Sequence, residues 1–205
     1  MARYDCVTTL VGSEVIGTDQ DENGVTLTYL GSGGGEAGAL RAAFVVGCDG
    51  ANSFTRAAIG SGIDDLGFNE SWVVVDLLLK KERQDLTQQS VHYCEPERSA
   101  TYVYIGGGRR RWEFRLQPGD DPVRITEAEN IWRLLERWIG PDEAALERAV
   151  VYTFRSLVAK EWRRGRVMIA GDAAHQTPPF MGQGMCSGIR DAYNLGWKLG
   201  RIVKG

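Results

Sequence analysis

The chain has 205 residues, 43% hydrophobic and 25% charged, with 24 Lys+Arg against 27 Asp+Glu and a formal net charge of −3. These figures suit a soluble globular chain with room for one large domain or two small lobes. They exclude the basic footprint of a nucleic-acid binder, and no 18-residue apolar run offers a membrane span. The opening "MARYDCVTTL" lacks the regions of a signal peptide. Cys6, Cys48, Cys94 and Cys186 are scattered without metal-ligand spacing, and His92 and His175 are the two histidines. Free thiols, a cytoplasmic location and no metal site are expected.

The first fifty residues read as β structure. "SEVIGTDQ" (13–20) and "GVTLTYL" (24–30) are extended runs around "DENG", whose Asn23-Gly24 is a hairpin signal. The glycine-rich "GSGGGEAG" (31–38) predicts a second turn, and "LRAAFVVGC" (40–48) the last strand of a β-meander ending at Asp49-Gly50. From about residue 70, "SWVVVDLLL" (71–79), "QSVHYCE" (89–95), "ATYVYIG" (100–106) and "RRWEFRLQ" (110–117) predict strands. "ITEAENIWRLLERWIG" (125–140) predicts an amphipathic helix opened by a capping box at Thr126–Glu129. Gly140-Pro141 ends it, "PDEAALERA" (141–149) predicts a short second helix, and "VVYTFRSLVA" (150–159) another strand. A last helix runs from about Gly184 to Val203, with Met185, Ile189, Ala192, Leu195, Leu199 and Ile202 marking one apolar face. The basic clusters "GRRRWEF" (108–114) and "KEWRRGR" (160–166) sit among acidic residues and read as solvated faces.

Two segments concentrate chemistry. In "GRVMIAGDAAHQTPPFMGQG" (165–184) an apolar strand runs into Gly171-Asp172, a histidine, two prolines and three glycines before a helix begins. The carboxyl end of a strand is where open α/β sheets bind ligands. Asp172 is an acceptor suited to sugar-like hydroxyls. Gly182 and Gly184 let another molecule approach the backbone, and the helix start offers unpaired N–H groups and partial positive charge. This set suits a polyhydroxylated ligand with an electron-rich end, such as a flavin nucleotide; the competing reading is a long loop with a capped helix and no ligand. The second segment is "VVGCDGANSFTRAAIG" (45–60), where Asp49-Gly50 reads as a simple turn or as a site. Ser53, three residues ahead of Arg56, predicts a short helix, and the Arg56 charge suits phosphate or carboxylate.

Together the segments resemble the flavoprotein aromatic hydroxylases, the group that includes the p-hydroxybenzoate and phenol hydroxylases. "CDGANSFTR" (48–56) is similar to the group's Asp-Gly motif, which serves FAD and NADPH, and "GDAAHQTPPFMGQGMCSGIRDAYNLGWKL" (171–199) to its Gly-Asp motif, which holds the FAD ribityl chain and ring. "SWVVVDLL", "RRRWEF" and "GQGMCSGIRDA" look most like the 3-(3-hydroxyphenyl)propionate hydroxylases. The resemblance implies that Asp49, Gly50, Arg56, Gly171, Asp172, Gly182, Gln183, Gly184, Met185 and Cys186 bind the cofactor. Asp172 would meet the ribityl hydroxyls, and the N–H groups of Gly184, Met185 and Cys186 the flavin N1–C2 edge. The Pro179 carbonyl would lie near the substrate hydroxyl, and His175, beside Asp172, would have a positional role. Cys186 stands where asparagine is frequent, which a backbone contact tolerates.

The implied protein is a mixed α/β oxidoreductase: partial FAD-binding domain at 1–68, substrate-binding sheet domain at 69–160, and the FAD-binding strand and helix at 161–205. NADPH or NADH would reduce FAD, and dioxygen would supply the oxygen added to a small phenolic acid in aromatic catabolism, with a homo-oligomer possible. Trp72, Tyr102, Tyr104, Trp112 and Phe114 are candidates for the substrate pocket or for ordinary sheet core. The group's G-x-G-x-x-G fingerprint between a buried strand and an apolar helix is not found in these 205 residues, because "GSGGGEAG" (31–38) lacks both flanking elements, so an internal fragment, inactive alone, is expected. The rival readings are a non-catalytic substrate-domain module and a related flavin oxidoreductase of the polyketide-hydroxylase or halogenase type.

Overall fold

The structure is a computed structural model that describes residues 4–205. It divides into two compact units, the chain up to Leu66 with Ser156–Gly205, and Gly67–Arg155. In the first unit β1 (Glu14–Gln20), β2 (Val25–Leu30) and β3 (Ala37–Ala42) form an antiparallel meander. The β1–β2 turn closes on Asp21, whose Oδ1 accepts the N–H groups of Asn23 at 2.8 Å and Gly24 at 3.0 Å. Neither Asn23 nor Gly24 has positive φ. The meander ends earlier than the sequence predicts: β4 (Val45–Gly47) leaves it for a different sheet, followed by helix α1 (Phe54–Ala58).

The second unit is built on β6 (Val91–Tyr93), β7 (Ala100–Gly106), β8 (Arg109–Arg115), helix α2 (Ala128–Leu135) and the greater parts of β5 (Ile63–Leu79) and β9 (Ala144–Ala159), whose outer ends belong to the first unit. The strand order is β9-β5-β8-β7-β6. Alternate residues of the antiparallel strands point to one face. Val73, Val75, Leu77, Tyr102, Trp112 and Phe114 do so, packing with Ile131 and Leu135 of α2. Tyr102 and Trp112 lie 4.9 Å apart at 59°, a tilted aromatic pair. These aromatics are therefore core. Arg110 shares their face and is 7% exposed, its guanidinium 4.5 Å from the Tyr104 ring centre, so the cluster at 108–114 is not wholly a solvated face.

Two segments differ from what the sequence predicts. The capping box does not form: Glu127 is the N-cap of α2 without a side-chain bond, and the Thr126 hydroxyl donates to the Val123 carbonyl instead. The helix expected at 141–149 is a turn followed by the first part of β9. Helix-forming Ala and Glu there are overridden by strand pairing, which begins where the Lys80 N–H donates to the Glu143 carbonyl at 2.8 Å.

Back in the first unit, β10 (Arg163–Arg164) and β11 (Val167–Ile169) form a hairpin, β12 (His175–Gln176) pairs with Leu157 and Val158 of β9, and helix α3 (Gln183–Lys204) ends the chain. β11 runs parallel to β4, with Val167 opposite Val45 and Ile169 opposite Gly47. Val25, Ile59, Val167, Ile169, Ala173 and Ala174 form the core beneath.

Candidate functional site

Because β4 and β11 are parallel neighbours, their carboxyl ends bring the loops after Gly47 and Ile169 side by side. A Cβ on Gly47 would run into the Thr55 side chain, so glycine is what lets α1 sit against the strand. Asp49 then holds the helix start. Its Oδ1 accepts the Ser53 hydroxyl at 2.6 Å and its Oδ2 the Thr55 N–H at 2.8 Å, while Ser53 Oγ accepts the Arg56 N–H at 2.8 Å. Burial pushes the Asp49 carboxyl up, but the Ser53 and Thr55 bonds outweigh it and leave its pKa below the ordinary value. Gly50, at φ 77°, turns the chain between acid and helix. Arg56 lies across both loops: Nη1 donates to the Ala173 carbonyl at 2.9 Å and Nη2 to the Ala51 carbonyl at 2.7 Å.

The second loop leaves β11 through a 3-10 turn at Gly171–Ala173. Gly171 has φ 61° and its Cα would be 3.7 Å from a Cβ on Gly188, so loop and α3 meet through two glycines. Asp172 is exposed, and its carboxylate takes no hydrogen bond from the described residues. His175 pairs not with Asp172 but with Asp191 of α3, Nε2 to Oδ2 at 2.7 Å, and the same oxygen accepts the Gly171 N–H at 2.9 Å. The sequence motifs alone do not point to Asp191. The signal for it was the stripe Gly184, Gly188, Asp191, Leu195, Leu199, which is the half-buried face of α3. The predicted apolar face is corrected in part: Met185 is 76% and Ile189 60% exposed, and no described residue of α3 is fully buried.

Pro178 and Pro179 lead into α3, and the Pro179 carbonyl accepts the Gly182 N–H at 2.8 Å. Gly182 is the N-cap, at φ 60°, with no side-chain cap bond. The N–H groups of Gly184 and Met185 in the first turn therefore have no intrahelical partner and, among the described residues, no side-chain capping oxygen. A Cβ on Gly182 would meet nothing within 4 Å, and one on Gly184 would first meet Thr177 Oγ1 at 3.9 Å. Gln183 follows the cap, and Cys186 is a half-buried free thiol. An acceptor carboxylate at a strand end beside an uncapped, glycine-started helix fits a flavin: hydroxyls donate to the first, and an anionic ring edge takes the N–H groups of the second.

Parallel strands whose ends carry two such loops, with a separate sheet domain inserted between them in sequence, define a cofactor-binding protein of the mixed α/β class. The chain belongs to the FAD binding domain family, which matches residues 2–205. It is 40% identical over 195 residues, 95% of its length, to a probable NADH-specific resorcinol 4-hydroxylase of Rhodococcus jostii RHA1, of which it covers 36%. A 3-(3-hydroxy-phenyl)propionate/3-hydroxycinnamic acid hydroxylase of Burkholderia cenocepacia HI2424 is 37% identical over all of this chain and 37% of that protein. The chain thus spans about a third of the length of the curated relatives it matches. Among solved structures, aklavinone-11 hydroxylase with FAD and aklavinone superposes with a TM-score of 0.83 at 26% identity, over 94% of this chain and 38% of that one. The p-nitrophenol 4-monooxygenase of Pseudomonas putida DLL-E4 gives 0.80 at 28%, over 94% and 49%.

Proposed function

We propose that the chain serves an FAD-dependent, NAD(P)H-using monooxygenase that hydroxylates a small phenolic compound such as 3-(3-hydroxyphenyl)propionate or resorcinol. The observation that carries this reading is the pairing of an exposed, uncommitted Asp172 carboxylate with an uncapped α3 start. When bound, FAD supplies the redox chemistry that activates dioxygen for insertion into the ring. The chain's own residues bind and orient. Asp172 would accept ribityl hydroxyls, and the first turn of α3, through the N–H groups of Gly184 and Met185 with Cys186 next to them, would hold the N1–C2 edge, where the α3 dipole favours negative charge. Asp49, Gly50 and Arg56 shape and brace the neighbouring loop, and Gly171, Gly182 and Gln183 set the approach to the helix. The Pro179 carbonyl keeps a lone pair for the substrate hydroxyl. The Rhodococcus relative, named as NADH-specific, favours NADH over NADPH as reductant. A cytoplasmic enzyme is proposed.

The likeness to aklavinone-11 hydroxylase supports a second reading, a hydroxylase of larger polyketide rings. Product analysis decides between them. The gene product carrying this chain, supplied with FAD and either NADH or NADPH, is offered resorcinol, 3-(3-hydroxyphenyl)propionate and a polycyclic phenol. Hydroxylated product from a monocyclic phenol supports the first reading, and product from the polycyclic ring alone supports the second. Reductant consumption without hydroxylated product from any of them rejects both.

A further inference from the structure

We propose that Asp191 and His175 are positioning residues for the flavin, a latch that fixes the amino-terminal turn of α3 against the Gly171 loop; the inference rests on the flavin reading above. Helix α3 has 22 residues, yet none of those described is fully buried, so packing alone secures it poorly. What joins it to the loop is specific. Gly171 and Gly188 bring the two backbones together, and three residues further along α3 Asp191 turns back to the same loop.

The chemistry of that contact is directional. One carboxylate oxygen, Asp191 Oδ2, receives the Gly171 N–H at 2.9 Å and meets His175 Nε2 at 2.7 Å. A carboxylate only accepts, so His175 presents an N–H at Nε2. The pair is mostly shielded, with side-chain exposures of 13% for His175 and 20% for Asp191, and such charge-assisted bonds are the strong ones. The imidazole is held from its other side by Trp162, stacked at 5.4 Å and 26°, whose indole N–H is itself tied to the Ala159 carbonyl at 3.0 Å. His175 is also fixed by backbone pairing, opposite Val158 of β9. The loop end of the latch is thus rigid, and Asp191 transmits its position to the helix. Asp191 lies about 10 Å along the axis from Gly184, two turns away, so it would set where the first-turn N–H groups point without touching the flavin.

The test compares the unmodified chain with Asp191→Ala, Asp191→Asn, His175→Ala and His175→Gln. Three readouts are used: amide exchange of Gly171 without flavin, FAD titration by flavin fluorescence, and visible circular dichroism at saturating FAD. The account predicts faster Gly171 exchange in Asp191→Ala. It also predicts an FAD dissociation constant raised about tenfold or more and a weakened flavin dichroism band. His175→Gln, which retains a side-chain N–H donor, should recover most of the band that His175→Ala loses. Asp191→Asn, nearly isosteric, covers the case in which the alanine variant does not fold, and should weaken the band in the same direction. A flavin affinity and band unchanged in all four variants would overturn the inference while leaving the flavin site intact. Lowered thermal stability with an unchanged band would show a merely structural contact and also overturn it. Absence of FAD binding by the unmodified chain would overturn the flavin reading itself, and the inference with it.

Discussion

The Arg56 guanidinium donates to the carbonyl oxygen of Ala173, 117 residues away in sequence, at 2.9 Å. This bond ties the loop that follows β4 to the loop that follows β11, and the bond to Ala51 completes a brace across both. Hydrogen bonds from a charged group contribute roughly 1.5–3 kcal/mol each. Arg56→Ala should therefore destabilise the first unit by about 2 kcal/mol or more and loosen the Asp172 loop. Urea unfolding, with amide exchange at Ala174, checks both. Arg56→Lys should recover little, because an ammonium cannot span two carbonyls with the planar fork of Arg.

Asp49 gives a pH-dependent expectation. Its folded pKa is depressed, so its stabilising contribution is present above the unfolded value of about 3.9 and is lost as pH falls through the folded value. Asp49→Asn should be destabilised at pH 7, by roughly 0.5–2 kcal/mol as for a lost helix cap. The difference should shrink as pH drops below about 4. A constant difference between pH 7 and pH 3 in urea midpoints would contradict this assignment.

Glu113 behaves in the opposite sense. Burial pushes its carboxyl up, with Asp76 adding to the rise while Arg111 and His92 oppose it. Its contribution to stability is complete below the unfolded value of about 4.3 and is lost as pH rises through the folded value. Glu113→Gln, which keeps the shape without the charge, should be more stable than the parent at pH 7 and equal to it near pH 4. Thermal melts at the two pH values test this.

Trp112 sits fully buried among Tyr102, Phe114 and Trp138. Trp112→Ala should cost about 3–5 kcal/mol, as large aromatic truncations do, and should lower the cooperativity of unfolding of the second unit. Trp112→Phe should recover most of that loss.

Much of this architecture was legible because strands announce themselves by alternation. In β8, Arg110, Trp112 and Phe114 turn inward while Arg109, Arg111 and Glu113 turn the other way. Composition misled where local propensity and tertiary pairing disagree: "AALERA" is helix-forming chemistry, yet it lies in β9. In α3 the strongly apolar Met185 and Ile189 suggested a buried face, whereas the half-buried face carries the small Gly184 and Gly188, the second of them against Gly171. For the site, the two acid-glycine loops were readable as strand-end motifs, and α1 was readable from Ser53 and Arg56. The acid that His175 meets was not. Asp172 is adjacent in sequence but points to solvent, and Asp191 reaches the imidazole only because α3 folds back across Gly171.

Gly33, Gly35 and Gly38 match the spacing G-x-G-x-x-G, but they span the turn from β2 into β3, where no helix follows to cradle a pyrophosphate. The proposed contacts would address ribityl chain and ring, which FMN also carries. FAD and FMN should then bind this chain with dissociation constants within a few-fold of each other. Chain purified without added cofactor should hold well under one FAD per molecule and show no phenol-dependent NADH or NADPH oxidation. Flavin quantitation after purification and a paired titration check these expectations.

The central claim is that Asp172, at the end of β11, holds the flavin ribityl chain. FAD titration of the unmodified chain and of Asp172→Ala, followed by flavin fluorescence, tests it most directly. Loss of a charged acceptor for hydroxyl donors removes roughly 1.5–3 kcal/mol, which corresponds to about a tenfold to hundredfold rise in dissociation constant. The account predicts that rise with an unchanged melting temperature, since Asp172 takes no hydrogen bond from the described residues. Equal FAD affinity in the two proteins would contradict it.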